Sequence, residues 1–248
     1  MIPKIIHYCW FGRNPLPKSA VKCIDSWKKF FPGYEIKEWN EENFDVNMIP
    51  YTAEAYAAKK YAFVSDYARF WILYHYGGVY FDTDVEVIRP MEDILAKGAY
   101  MGCEKDSDGR DYPTVNPGLG MAVEKYDDTA KMMVQQYEKL NYSQENSGSA
   151  SGIYKTVVQY MTEFLVANGL KPNKGIQCVR NIYIYPKEYF NPLEHINMLT
   201  ITENTRTIHH YAATWAPFYI KLYRTFVRLI GPKMYGSYIQ FRNRLIKK

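Results

Sequence analysis

Between residues 62 and 84 the chain runs from a helix through two glycines into an apolar strand, then out at two carboxylates. Few folds accept that order. Phe63, Tyr67, Phe70, Trp71 and Tyr74 recur at helical spacing. Gly77 stands at the C′ position, where a left-handed backbone closes a helix without steric cost. Val79–Phe81 reads as a buried strand, and Asp82 and Asp84 follow where it runs out. Alternate residues of a strand share a side, so this turn presents both carboxylates to one hard cation. A divalent ion held by carboxylates and substrate phosphates is the usual arrangement for Mg²⁺ or Mn²⁺. Alone, an Asp-x-Asp is most often a solvated surface turn. The neighbouring segments shift that balance.

Upstream, Lys4–Tyr8 reads as a short buried strand, and Pro17 is placed as the N1 residue of a helix reaching about Phe31. Tyr34–Trp39 then alternates as a second strand. Strand, helix, strand in this order predicts a parallel sheet with helices on its faces. Residues 41–60 read as short helices. Further strands are predicted at Val85–Ile88, Ala99–Gly102, Gly118–Val123 and near 182–185 and 206–209, with helices at about 127–140 and 153–167. Asn141–Gly152 is rich in Ser, Gly and Asn and reads as a loop. The division predicted is one α/β catalytic domain over 1–215 and a basic, amphipathic helical appendage over 216–248.

Hydrophobic residues make up 47% and aromatics 17% of the 248, which excludes disorder over most of the length. The 24 tyrosines suit the handling of sugars or nucleobases, and equally ordinary half-buried packing. Cys9, Cys23, Cys103 and Cys178 are scattered, which argues against a zinc knuckle or a disulfide framework. The start lacks a signal-peptide pattern and no run of 18 apolar residues occurs, so a cytosolic location is expected. No acidic residue follows Glu203, while nine Lys and Arg do; those nine exceed the whole-chain net charge of +5 and leave the body acidic. Such a tail fits docking on an anionic lipid surface, at the inner face of a membrane, or packing its aromatics on the core. Nucleic acid is not an expected partner, because no binding motif accompanies the charge.

Ser65-Asp66-Tyr67-Ala68-Arg69 precedes the glycine pair, and Asp66 and Arg69, three apart, share a helix face. They make either a surface ion pair of little weight or a clamp: Arg69 on phosphate, Asp66 on a sugar hydroxyl.

Taken together, Ile2-Pro3-Lys4-Ile5-Ile6-His7-Tyr8-Cys9-Trp10, Ser65–Arg69 and Tyr76–Asp84 resemble glycosyltransferase family 32, the DXD-containing group related to capsular polysaccharide enzymes and, distantly, to large glucosylating toxins. The resemblance returns at Asn116-Pro117-Gly118 and at His209-His210-Tyr211-Ala212-Ala213-Thr214-Trp215. It implies a GT-A fold, a nucleotide-sugar donor, Mn²⁺ or Mg²⁺, and retention of anomeric configuration. By the same resemblance Trp10 stacks on the base, while Asn40, Ser65, Asp66, Arg69 and Asn116 contact the donor. Tyr80 and Asp82 lie by base and ribose. Asp84 binds the metal directly and Asp82 through water, with His210 as the carboxyl-terminal ligand and His209 as its competitor. Trp215 contacts phosphate. The donor favoured is a UDP-hexose such as UDP-galactose, and the acceptor a saccharide, lipid-linked in one version, within surface polysaccharide synthesis. Departure of a nucleoside diphosphate builds charge on phosphate oxygens, where a cation and a guanidinium stabilise most. The rivals are a metal-dependent phosphohydrolase and an inactive sugar-nucleotide or membrane-binding module.

Overall fold

The computed structural model describes residues 1–145, 155–194 and 198–212. In chain order the elements are β1 (Ile5–Cys9), α1 (Lys18–Phe30), β2 (Glu35–Trp39), α2 (Pro50–Ala57), α3 (Tyr61–Tyr76), β3 (Gly78–Tyr80), β4 (Val85–Val87), α4 (Glu92–Leu95), β5 (Tyr100–Lys105) and β6 (Thr114–Val123). There follow α5 (Asp128–Tyr137), α6 (Tyr142–Glu145), α7 (Val157–Ala167), β7 (Gln177–Val179), β8 (Ile182–Tyr185), α8 (Lys187–Phe190), β9 (Leu193–Glu194), β10 (Met198–Leu199) and β11 (Thr207–His209). Trp215 and the predicted appendage 216–248 lie outside the described residues. Among those described, no helix is long and apolar enough to cross a membrane.

Seven strands form one sheet in the order β2-β1-β3-β6-β5-β8-β7. The predicted parallel start holds for β1, which pairs in parallel with β2 and β3. Beyond it the sheet is mixed, because β6 runs antiparallel to both neighbours. The periodicity of a buried strand carries no directional signal, since both faces are apolar either way.

Alternation along the strands divides the core in two. Ile6 and Tyr8 of β1, and Val79 and Phe81 at β3, join Cys23, Ile24 and Trp27 of α1 on one face. Tyr80, Met121 and Val123 join Phe63, Tyr67 and Phe70 of α3 on the other, with Met133 and Tyr137 of α5 and Tyr160 of α7. Pro17 is the N-cap of α1, one residue ahead of the predicted N1 position. In 41–60 one helix, α2, forms, and the predicted loop after residue 140 opens with the single turn α6.

Two backbone features set the site. Gly77 and Gly78 have φ of +64° and +101°, and a Cβ on Gly78 would lie 2.6 Å from the Ile5 carbonyl. The pair lets β3 start directly against β1. His7 locks this junction: its Nε2 lies 2.9 Å from the Gly77 carbonyl, and the Trp39 indole donates to its Nδ1 at 3.1 Å. Burial drives the His7 pKa down to about 4, so a neutral ring donates through Nε2. The second feature lies in β6. Its register with β5 jumps from Met101↔Met121 to Gly102↔Asn116, so residues 117–120 leave the ladder. A further irregularity between Cys103 and Lys105 sets Glu104 off it. Bulges of this kind re-aim side chains beside sites.

Candidate active site

Asp82 and Asp84 flank the turn that joins β3 to β4, at the edge where β1 also ends. The turn is closed by the Val85 amide donating to the Asp82 carbonyl at 3.0 Å, and the Asp82 amide donates to the Gly118 carbonyl at 3.0 Å. On the other side β11 pairs antiparallel with β4, matching His209 to Val85. This pairing carries a segment 125 residues away onto the carboxylates. Oxygens of Asp82 and Asp84 and a ring nitrogen of His209 lie within 4.8 Å of one another.

His209 Nε2 stands 3.1 Å from Asp84 Oδ1, and the Ala212 amide donates to Asp84 Oδ2 at 2.8 Å. Burial alone would raise the Asp84 carboxyl; the His209 imidazole and the Ala212 amide outweigh it and hold the pKa below its usual range. Burial likewise works against charge on His209, yet Asp84, with Asp82 and Glu104 beyond it, raises the imidazole above its ordinary value. His209 Nδ1 is buried without a protein partner. Its neighbour His210 points elsewhere, its Nε2 2.8 Å from Glu86 Oε2 on the exposed side of β4. Of the two histidines named by the resemblance, His209 is the one whose ring stands beside Asp84. Strand alternation is the reason: adjacent residues face opposite ways.

Asp66 and Arg69 lie on the buried face of α3, not on its surface. Arg69 Nη2 donates to Asp66 Oδ1 at 2.9 Å and lies 3.4 Å from Asp82 Oδ1, while its Nε donates to the Ser65 carbonyl at 3.2 Å. The guanidinium sits 4.9 Å from the centre of the Tyr80 ring, whose hydroxyl donates to Asp82 Oδ1 at 3.2 Å. Burial opposes its charge, but Asp82, Tyr80 and Asp66 together raise its pKa, so Arg69 stays protonated. Burial pushes the Asp66 carboxyl up to about 7 against the pull of Arg69. Nη1 of Arg69 is buried and without a partner. Tyr80 is only 1% exposed and braces Asp82 and Arg69.

Gly118 brings Asn116 into this group. The Asn116 Oδ1 accepts from the Gly118 amide at 2.8 Å, and a Cβ on Gly118 would fall 2.0 Å from Asp82 Oδ2. Trp10 is half-buried at the end of β1, its indole N–H donating to the Asn14 carbonyl at 2.6 Å. Asn40 caps the turn after β2: its Oδ1 accepts from the Glu42 amide at 2.9 Å and its Nδ2 donates to Glu38 at 2.9 Å. The structure thus gathers Ser65, Asp66, Arg69, Tyr80, Asp82, Asp84, Asn116 and His209. The sequence reasoning quoted Gly118 and Tyr211 within motifs but gave them no role, and it did not single out Glu104 or Asn191. A glycine within an apolar strand was a signal for Gly118; a lone Asn after an aromatic gave none.

The donor set fits a divalent cation. Two hard carboxylates and an imidazole suit Mn²⁺ or Mg²⁺, and the Asp84–His209 contact marks the polarity such an ion would meet. Sheet order, mixed strand direction and an Asp-Thr-Asp turn at the edge match the GT-A architecture that the sequence resemblance implies.

Residues 17–101, about a third of the chain, match the family described as "Glycosyltransferase sugar-binding region containing DXD motif". Inositol phosphoceramide mannosyltransferase 1 of Schizosaccharomyces pombe is 31% identical over 111 residues, covering 40% of this chain and 33% of that protein. Mannosyl phosphorylinositol ceramide synthase CSH1 of Saccharomyces cerevisiae is 31% identical over 109 residues, covering 41% and 27%. The chain spans about a third of the length of these curated relatives. Among solved structures, a glycosyltransferase involved in glycosylation of the major capsid of PBCV-1 superposes with a TM-score of 0.48 at 12% identity, covering 91% of this chain and all of that one.

Proposed function

We propose that this protein is a metal-dependent, retaining glycosyltransferase that moves a hexose from a nucleotide sugar to a saccharide or glycolipid acceptor. The observation that carries the reading is the meeting of Asp82, Asp84 and His209 within 4.8 Å, beside a buried guanidinium. Asp84 and His209 would hold the cation with Asp82 beside them, and the charge it would supply there suits a departing diphosphate. Arg69 supplies a second, permanent positive charge, kept in place by Asp66, Asp82 and Tyr80. It costs no reorganisation when charge develops. Trp10, beyond the end of β1, is the base-stacking surface in this reading, and Trp215 the phosphate contact.

The donor is a UDP-hexose or a mannosyl nucleotide, the second because curated relatives are named as mannosyltransferases. Those names also favour a lipid-linked acceptor, which would give the basic segment 216–248 a use at the inner face of a membrane, in surface glycan synthesis. Thermal shift with UDP- and GDP-hexoses plus Mn²⁺ tests the proposal, because a bound donor stabilises the fold by mass action. Asp84→Ala should remove that shift and all transfer while leaving the fold intact. Undiminished transfer in excess EDTA would refute metal dependence, and release of inorganic phosphate from simple esters would favour a phosphohydrolase.

A further inference from the structure

Contacts continue past the metal site in a closed circuit. From Asp84 the path runs to His209 at 3.1 Å, then to the Tyr211 ring, 4.2 Å between centroids. The Tyr211 hydroxyl accepts from Asn191 Nδ2 at 2.5 Å, and the same Nδ2 donates to the Glu104 carbonyl at 3.2 Å. A carbonyl only accepts, so the orientation of the Asn191 amide is fixed. The Glu104 carboxylate takes the Asn116 Nδ2 at 2.9 Å, and Asn116 leads through Gly118 to Asp82 and Arg69. Glu104 owes its place to the irregularity between Cys103 and Lys105, which takes it out of the β5–β6 ladder. Its charge is close enough to help raise the His209 pKa.

A carboxylate so placed is unsuited to phosphate. It is half-buried and held by its neighbours through both its main chain and one carboxylate oxygen, so its position is set before any ligand arrives. An ionised carboxylate is an acceptor only, and its complement is an O–H donor. Next to a site that takes a nucleoside diphosphate, the neutral donors at hand are sugar hydroxyls.

We propose that Glu104 is a specificity-determining residue that accepts a hydrogen bond from a hexose hydroxyl, with Asn116 and Asn191 positioning it. The inference rests on the glycosyltransferase reading and names what that site recognises beyond the diphosphate. Two sources share this chemistry, the hexose of the donor and the hexose of the acceptor.

The test uses the full chain with MnCl₂, and compares UDP and GDP with UDP-galactose, UDP-glucose and GDP-mannose by calorimetry. Glu104→Gln keeps the shape and the acceptor for Asn116, so the ligand-free melting temperature should not move. Loss of a charge-assisted hydrogen bond should weaken the nucleotide sugar by about tenfold to a hundredfold, with the free nucleoside diphosphate unchanged. That result places the hydroxyl on the donor. Unchanged donor affinity with transfer falling relative to donor hydrolysis places it on the acceptor. Equal losses for nucleotide sugar and free diphosphate, or no change in binding and transfer, would overturn the proposal. If the wild type binds none of the five ligands with Mn²⁺, the glycosyltransferase reading itself fails, and this inference with it.

Discussion

Gly118→Ala is the smallest change that separates the site from the fold. The added Cβ would lie 2.0 Å from Asp82 Oδ2, 2.8 Å from its Cγ and 2.9 Å from Arg69 Nη1. Arg69 is 3% exposed and tied to Asp66, so it has nowhere to go, whereas the Asp82 side chain is 30% exposed and swings toward solvent. The methyl therefore evicts the Asp82 carboxylate from its contacts with Tyr80 and Arg69. Overpacking of a filled site costs about 1–3 kcal/mol, and the exit open to Asp82 puts this case near the lower end. A chain of this size loses roughly 2–4 °C per kcal/mol, so calorimetric unfolding should show a small drop in melting temperature. Mn²⁺-dependent donor binding should fall at least about tenfold, since one charged ligand is lost. Wild-type Mn²⁺ affinity in a variant of near wild-type stability would refute the placement of Asp82 at the cation.

The two histidines should differ: His209→Ala weakens Mn²⁺ binding measured by titration, and His210→Ala, which removes a ring that faces Glu86 and not Asp84, leaves it near wild type. Arg69→Ala strands Asp66 and Asp82 without their cation and should cost about 3–5 kcal/mol in denaturant unfolding; Arg69→Lys should recover stability better than turnover, because a point charge does not replace a planar fork. The Asp84–His209 pair gives a pH signature. The depressed Asp84 pKa contributes stability above its unfolded value near 4, lost as pH falls through the folded value; the raised His209 pKa contributes below about 6.5, lost as pH rises through its folded value. Without metal, the pair should therefore stabilise most between about pH 4 and 6.5, and Asp84→Asn should flatten that part of a melting-temperature profile. A cation needs His209 unprotonated, so Mn²⁺ affinity should rise with pH through the raised His209 value.

How much of this was legible in the sequence depends on range. The α3–Gly77–Gly78–β3 run was readable because helix periodicity, a left-handed stop and a buried strand are all local, and they carry Asp82 and Asp84 to the sheet edge. The pairing of Asp66 with Arg69 was equally local, although spacing alone did not reveal that they lie on the buried face. The motif resemblance named His209 and His210 together, and only the β4–β11 register separated them: one ring turns to Asp84 and the other to Glu86. The burial of Tyr80 between sheet and α3 was not legible either, because it is a tertiary fact.

The amino-acid order by itself determined the helix, the stop, the strand and the chemistry of the turn, because each rests on backbone preferences acting over a few residues. Tertiary structure alone decided the antiparallel β6, the excursion at 117–120 that sets Gly118 against Asp82, and the bulge that frees Glu104. It alone joined His209, Tyr211, Asn191 and Asn116 around the carboxylates. Those contacts span up to 125 positions, and pairing at that distance is chosen by packing of the whole sheet, which no local pattern encodes.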